Sequence, residues 1–427
     1  MSSAGNLQVQ QILYSAQQAM QAGRRDEAVR LLNQILAVAP EHPQALFHLG
    51  QHRLLQKDVA SGLALLERAA KADPKAPTIP LNIAFAHRST GNSAAEIAAL
   101  DRALAVDPYF LPAMLAKGAV LERTGNLKGA AQVYGNALKV APPEDQRPGE
   151  LAERLQQARR VVEANARQLD RQLNGAFDAV RARYPEARID RFEAAKEAML
   201  GRRKIYSQQP TMLHFPALPP IEFYDNSDFA WIDRLEAATD DIRAELLALV
   251  TTGNHEAAQG FRPYVQHPAG VPLNQWRDLN FSPRWSAFFL WEDGKRIDEH
   301  CARCPKTAAL AESMPLAQIP GYAPAVFFST LKPHTRIPSH TGVTNIRLIV
   351  HLPLIVPDKC FFRVGGDTRQ VQEGKAWVFD DTMEHEAWND SDQNRFILIF
   401  DIWNPHLNDA ERELVRALLL GVNAYYA

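Results

Sequence analysis

At 427 residues the chain is long for one domain and suggests two or three. Its 46% hydrophobic and 22% charged residues exclude a disordered chain, and 47 Lys and Arg against 49 Asp and Glu (formal net charge −2) give no global basic field for nucleic acid. Three cysteines are too few for a disulfide scaffold, and all seven tryptophans stand between Trp231 and Trp403, so two differently built halves are expected.

The N-terminus has neither the basic start nor the apolar run of a signal peptide, and no stretch approaches the roughly 20 apolar residues of a membrane span; the cytoplasm is the expected compartment. Pro40, Pro74, Pro108 and Pro142 follow one another at 34 residues, and Gly91 and Gly125, as well as Ala69, Ala103 and Ala137, keep that step. Gly50, Ala84 and Gly118 place a small residue at one phase of the same period. Small residues at fixed phase let two helices of a hairpin approach, and each proline closes the second helix. Gly91-Asn92 and Gly125-Asn126 predict tight turns inside their hairpins. The pattern resembles the tetratricopeptide repeat over residues 9–144, although its usual Trp is missing and Glu96 replaces a small residue in the third copy. The first domain, 1–145, is thus expected to be an α-helical solenoid. The resemblance implies a protein or peptide partner on its concave face; the alternative is a scaffold that packs on its own chain or dimerises.

Residues 146–209 read as a connector or cap of polar helices, for example LAERLQQARRVVEANARQLDRQL. Twelve Lys and Arg against seven Asp and Glu within 159–204 are read as a solvated helical face rather than a site for an acidic partner. The proline-rich run LHFPALPPIEFYD, 213–225, marks a boundary that helix cannot cross.

Beyond residue 275 short apolar runs alternate with Pro, Gly, Asn and Asp. Cys301 and Cys304 form a C-x-x-C pair with no second half-site, expected as reduced thiols with a local disulfide as the alternative. Strands are predicted at 325–331, 346–354, 360–364, 375–380 and 396–403, and a last helix at 409–420. Many short strands at this spacing predict an antiparallel sandwich or jelly roll for 210–427. Five of thirteen histidines fall within 73 residues: His334, His340, His351, His385 and His406. His340, in PSHTGVTNIRL, and His385, in FDDTMEHEAWN, are expected in loops at strand ends, where they form a candidate metal pair; imidazoles suit Fe, Zn, Cu and Ni alike. Arg395 opens the next strand and is suited to grip a carboxylate beside a metal, or else to pair with Asp390 or Asp392 at the surface.

The segments FFSTLKPHTRIPSHTGVTNIRLIVHLPL and EGKAWVFDDTMEHEAWNDSDQNRFILIFDIWNP, with HTG-x-TN-x-R-L and FDD-x-x-x-HE-x-W at their centres, resemble the core of the aspartyl/asparaginyl β-hydroxylase family, and the similarity covers about residues 210–405. The resemblance implies a double-stranded β-helix (a cupin-like jelly roll) that uses iron(II), O₂ and 2-oxoglutarate, which is decarboxylated to succinate as a substrate C–H is hydroxylated. Position by position it implies that His340 and His385 bind iron, that Arg395 pairs with the distal carboxylate of 2-oxoglutarate with help from Ser329, and that His351 lies near the cosubstrate's other end. Ile349 departs from the pattern, standing where the animal enzymes carry an arginine in the cosubstrate pocket; Arg347, on the same strand, matches a neighbouring family arginine. Gly342 occupies the position where most two-histidine iron oxygenases place a carboxylate, and the resemblance implies that water fills the vacancy. Asp380, Asp381, Glu384 and Glu386 surround His385 as candidates to hold that water or orient an imidazole, or simply as solvated loop. Trp377, Trp388 and Trp403 are expected in the core, with pocket shielding as the alternative. The expected function is hydroxylation of an Asp- or Asn-type side chain in a protein recruited by the repeats. The alternatives are hydroxylation of a lipid acyl chain or amino-acid derivative, or a non-catalytic adaptor.

Overall fold

The computed structural model describes residues 3–251 and 260–426, which divide into two compact units, Met1–Arg191 and Phe192–Ala427. The first is helical: α1 (Ser3–Gln21), α2 (Arg25–Val38), α3 (Pro43–Leu55), α4 (Val59–Ala72), α5 (Thr78–Ser89), α6 (Ser93–Val106), α7 (Leu111–Arg123), α8 (Leu127–Val140) and α9 (Gly149–Arg183). Consecutive helices pack as hairpins, α1 on α2 through α7 on α8. The 34-residue small position is where the paired helices meet: a Cβ on Gly50 would lie 2.8 Å from Leu66 Cγ, one on Gly118 would run into the Tyr134 ring, and Ala84 is fully buried. Gly91 and Gly125 adopt φ of 71° and 82°, the left-handed turn that favours glycine, and Lys57 holds the same turn at φ 63° one repeat earlier. Each turn leads into a cap, Asp58, Asn92 or Asn126, whose side chain accepts from the backbone N–H three residues on, at 3.2, 3.1 and 3.0 Å. Glu96, the outsized residue of the third copy, is buried and satisfied by Arg123 of α7. The 146–209 stretch is shared between the units: Leu155 and Ala158 of α9 pack with Met114, Leu115 and Tyr134, whereas 192–209 belong to the second unit.

After α10 (Asp190–Met199) come α11 (Ile232–Ala237) and α12 (Thr239–Thr251), then β1 (Arg262–Pro263), β2 (Trp285–Glu292), β3 (Lys295–Arg296), α13 (Asp298–Arg303) and α14 (Pro305–Glu312). The barrel strands follow: β4 (Val326–Leu331), β5 (Thr335–His340), β6 (Arg347–Ile355), β7 (Cys360–Val364), β8 (Asp367–Gln370), β9 (Trp377–Phe379), β10 (His385–Asn389) and β11 (Arg395–Trp403), and α15 (Asp409–Tyr426) ends the fold. Among the described residues one sheet has the order β1-β2-β4-β11-β6-β9 with β3 on β2, and the other β5-β10-β7-β8. The eight strands β4–β11 thus pass between two antiparallel four-stranded layers, alternating except at the β7–β8 hairpin, as in a double-stranded β-helix.

Period-two alternation sorts the side chains. Phe328, Val350, Leu398 and Phe400 point outward onto Leu235, Ile242, Leu246 and Ala308 of α11, α12 and α14. Phe327, Ile349, Ile397 and Ile399 point inward to Ile337, Phe362, Val364 and Ala387 of the facing layer. β11 is therefore buried on both faces, which is why RFILIFDIW is almost wholly apolar. The predicted strands at 325–331, 346–354, 360–364, 375–380 and 396–403 are found as β4, β6, β7, β9 and β11. β5 and β10 were expected to be loops; they are strands with one buried face, and Pro338 and the polar residues of TRIPSH and HEAWN hide them. Cys301 and Cys304 are buried free thiols.

Candidate active site

The register of β10 on β5 sets His385 directly opposite His340, with imidazole centroids 4.0 Å apart. His340 ends β5 and His385 begins β10, so both belong to strands rather than the loops expected for them. His340 Nδ1 lies 2.7 Å from the Pro338 carbonyl and His385 Nδ1 3.0 Å from the Met383 carbonyl. A carbonyl only accepts, so each Nδ1 carries the hydrogen and each Nε2 keeps its lone pair for a ligand. Burial holds both imidazoles neutral: it lowers the pKa of His340 against the pull of its carbonyl, and holds that of His385 well below the ordinary value, with the neighbouring His340 adding to the effect.

Gly342, two residues past His340, supplies no third ligand. The Asp381 carboxylate fills the space where a side chain at 342 would stand, and Gly342 N–H donates to the Asp381 carbonyl at 2.6 Å. Asp381 is buried with Oδ1 unpartnered; burial pushes its pKa up to about 7, against the pull of Arg347. Among the described residues no three His, Cys, Asp or Glu side chains group closely enough to hold a metal, and the two imidazoles stand as a pair. The other three carboxylates near His385 are committed elsewhere. Asp380 accepts from Gln208 Nε2 at 2.6 Å and from Thr382, while Glu384 and Glu386 pair with Arg363.

A strap from Gln208 to Phe215 fastens the two histidine-bearing turns together. Gln209 N–H donates to Thr382, Thr211 N–H to Gly342, and Asn345 exchanges hydrogen bonds with both backbone groups of Phe215 at 2.8 and 2.9 Å. Asn345 Nδ2 also donates to Gln208 Oε1 at 3.2 Å. Gln208 and Asn345 were not singled out in the sequence. Asn345 lies inside the HTG-x-TN motif, but its partners stand 130 and 137 residues away.

The other end of the barrel is closed by Asn389, whose Nδ2 donates to the carbonyls of Leu331, Lys332 and Gln393. Arg395 stands there, opposite Leu331 and 2% exposed. Its Nε has no partner and it makes no ion pair among the described residues, so the surface pairing with Asp390 or Asp392 does not occur; Asp392 takes His334 instead. Burial lowers the Arg395 pKa to about 10. The fully buried Ser329 accepts from Trp285 Nε1 at 3.1 Å. His351, packed on Phe362 and Phe379 at 5.0 and 4.9 Å, is held well below its ordinary pKa by burial first and by the charge of Arg395 second. Arg395, Ser329 and His351 thus share the inward face of the β4–β11–β6 layer.

Arg347, expected to help bind the cosubstrate, is committed elsewhere. It forms ion pairs with Asp401 and, at 3.5 Å, with Asp381; despite the opposing cost of burial, the two carboxylates raise its pKa. Ile349 faces inward between Phe379 and Asp401 in register. Trp377 lies 6.2 Å from His351 within the inner core, Trp403 belongs to a separate cluster against α15, and Trp388 stacks on Phe361.

A jelly roll carrying a two-histidine site of metal-binding form, with an unpaired buried arginine at its closed end, defines the class. Residues 236–405 match the aspartyl/asparaginyl beta-hydroxylase family profile and residues 15–77 a tetratricopeptide-repeat profile; the β-rich unit carries a domain of that hydroxylase family, preceded by the repeats. Human aspartyl/asparaginyl beta-hydroxylase is 36% identical over 151 residues, 35% of this chain and 20% of that protein. The ornithine lipid ester-linked acyl 2-hydroxylase of Rhizobium tropici is 35% identical over 190 residues, 44% of this chain and 61% of that protein. The matched region therefore spans less than two thirds of either relative. Among solved structures, a crystal structure of MamA protein covers 42% of this chain and 97% of its own at 17% identity and a TM-score of 0.32.

Proposed function

We propose that the chain is an iron(II)- and 2-oxoglutarate-dependent dioxygenase that hydroxylates a carbon of a substrate brought to it by its repeat half. The observation that carries the reading is Arg395, a buried guanidinium without a counter-ion at the closed end of a barrel whose other end presents two imidazole Nε2 lone pairs. A buried charge of this kind calls for an anionic ligand, and a planar guanidinium fits a carboxylate. The histidine donor set suits iron(II), and the unpaired guanidinium of Arg395 suits a carboxylate. His340 and His385 would hold the metal; Arg395 and the Ser329 hydroxyl would hold the distal carboxylate of the oxoacid. His351 keeps a neutral face toward the space between them. When bound, iron and oxoacid supply the oxidising chemistry. The chain's own residues orient the cosubstrate, exclude water with Phe362, Phe379 and Trp377, and keep the ligand imidazoles deprotonated.

The relatives' names point to two substrate classes, an aspartyl or asparaginyl residue and an ester-linked acyl chain. The repeats suit a protein partner, either the substrate itself or a carrier that delivers it. Conversion of 2-oxoglutarate to succinate by the iron-loaded protein, lost in His340→Ala and His385→Ala, tests the reading. If the iron-loaded protein consumes no oxoacid with any candidate substrate present, the reading is wrong.

A further inference from the structure

We propose that the group presented to the metal at the open end of the barrel is the uncharged aliphatic chain of an acyl amphiphile, not an aspartyl or asparaginyl side chain; this rests on the hydroxylase reading above. The reaction would insert one atom of O₂ into an aliphatic C–H to give C–OH. The other atom would enter succinate as the oxoacid loses CO₂, so that oxidation of the oxoacid and of the C–H together supply the four electrons O₂ accepts.

Charge comes first. Arg347 and Arg395 face inward on the inner strands, Arg395 at the closed end; Arg262 and Arg369, in register with the inward-facing Ala287 and Phe362 on the edge strands β1 and β8, are exposed and paired with Glu292 and Asp367. Arg347, at the open end, is already paired with Asp401 and Asp381, so this trio holds more carboxylates than cations. A substrate carboxylate arriving there meets acid groups and no free buried cation. An amide fares little better. The next inward position along β6 is Ile349, flanked by Phe379, and Phe327 and Ile399 continue the wall; none of these side chains donates or accepts a hydrogen bond, so a buried amide would lose its water without replacement.

The mouth itself is apolar and aromatic. Trp276 meets the His340 imidazole edge-on at 4.9 Å and lies 6.0 Å from Trp285, on which Tyr264 stacks at 4.1 Å. Tyr264 and Phe281, from the loop that carries Trp276, are 40% and 57% exposed. On the strap side, Met212 N–H donates to the carbonyl of Val343, three residues past His340, and these side chains are 47% and 40% exposed. Apolar groups left in water from two separate segments beside a site are what an amphiphile's chain would cover.

The test uses the full-length, iron-loaded protein with 2-oxoglutarate and reads succinate and product mass. The probes are a dodecanoyl lysolipid above its micelle concentration, dodecanoyl-pantetheine as a soluble thioester, and a panel of Asp- and Asn-containing peptides. Expected is succinate formation raised at least roughly tenfold by an acyl probe, which gains one oxygen, with the peptides leaving the rate unchanged; which acyl probe responds separates a lipid source from a carrier-bound one. Independently of turnover, a bromine-substituted dodecanoyl chain should quench tryptophan fluorescence of the wild type and of Ile349→Leu but not of Ile349→Arg. Peptide hydroxylation without acyl turnover overturns the proposal. So does a protein that binds and slowly consumes the oxoacid yet shows neither acyl stimulation nor quenching. If the metal-loaded protein binds no 2-oxoglutarate at all, the hydroxylase reading itself fails, and the proposal with it.

Discussion

Replacing Arg395 by Met should make the ligand-free protein more stable and at the same time deaf to 2-oxoglutarate. The guanidinium is 2% exposed with no ion pair among the described residues, and burial lowers its pKa from the ordinary arginine value to about 10. At 1.36 kcal/mol per unit, that depression is an electrostatic cost of about 3 kcal/mol. The folded pKa of this base is the lower one, so the fold binds fewer protons than the unfolded chain only above about pH 10; below that the cost is carried in full, and a measurement at pH 7 sees all of it. Met occupies a similar length without charge, and allowing about 1 kcal/mol for imperfect repacking leaves a net gain of about 2 kcal/mol. For a unit of this size that raises the melting temperature by about 4–8 °C.

All seven tryptophans belong to this unit, so its melting in chelator can be followed by fluorescence without interference from the helical one. With metal present, 2-oxoglutarate at a hundred times its Kd should add about 2.7 kcal/mol to the wild type and nothing to Arg395→Met. If the variant is instead destabilised in chelator, or keeps its response to 2-oxoglutarate, Arg395 is not the unpaired anion site described.

Two further outcomes follow from the same geometry. His351 is held neutral in the fold, chiefly by burial, so as pH falls below about 6.5 the unfolded chain takes up a proton that the folded one refuses; stability should drop by up to about 1.4 kcal/mol per pH unit on this account, and His351→Gln should flatten that slope in urea melts between about pH 5 and pH 7.5. Equal slopes in the two proteins would contradict it. Asn345→Ala strips the strap of its bonds to Phe215 and Gln208, which should cost about 2–3 kcal/mol in unpaired buried groups and weaken metal binding about 10–100-fold. Calorimetric titration with manganese reads the affinity; an unchanged value would show that the strap does not position His340.

What could be read from the sequence was whatever a local pattern encodes. The 34-residue step announces the hairpins because one small residue per repeat must sit where two helices touch, and continuous apolar runs announce β6 and β11 because both their faces are covered. β5 and β10, the strands that carry His340 and His385, gave no such signal: they are short and polar on one face, and β5 contains a proline. His340, His385 and Arg395 stood out by residue type and position, and motif resemblance supplied the role expected of each. The fate of Arg347 was not, since it depends on Asp401, 54 residues away, arriving on the neighbouring strand. The role of Gly342 was likewise hidden, because the Asp381 carboxylate that fills its missing side-chain space comes from a different turn.

Arg347 and Arg395 make the argument for a ligand sharper than either would alone. They are the same residue type on adjacent strands of one sheet, both inward-facing and shielded from water. The fold supplies Arg347 with two carboxylates, and its pKa rises; it supplies Arg395 with none, and its pKa falls. A chain that neutralises one buried guanidinium so fully has the means to neutralise the other, yet the closed end is lined by Leu331, Ser329 and Ile397 instead of an acid. Folding alone gives no reason to keep a charge there at a cost of about 3 kcal/mol. Binding does: a carboxylate entering from the histidine end recovers that cost as affinity, and only an anion can. Stability is thus withheld at a position where a bound carboxylate would supply it, and for that reason the Arg395→Met melt, rather than loss of activity, is the stricter test of the proposed anion site.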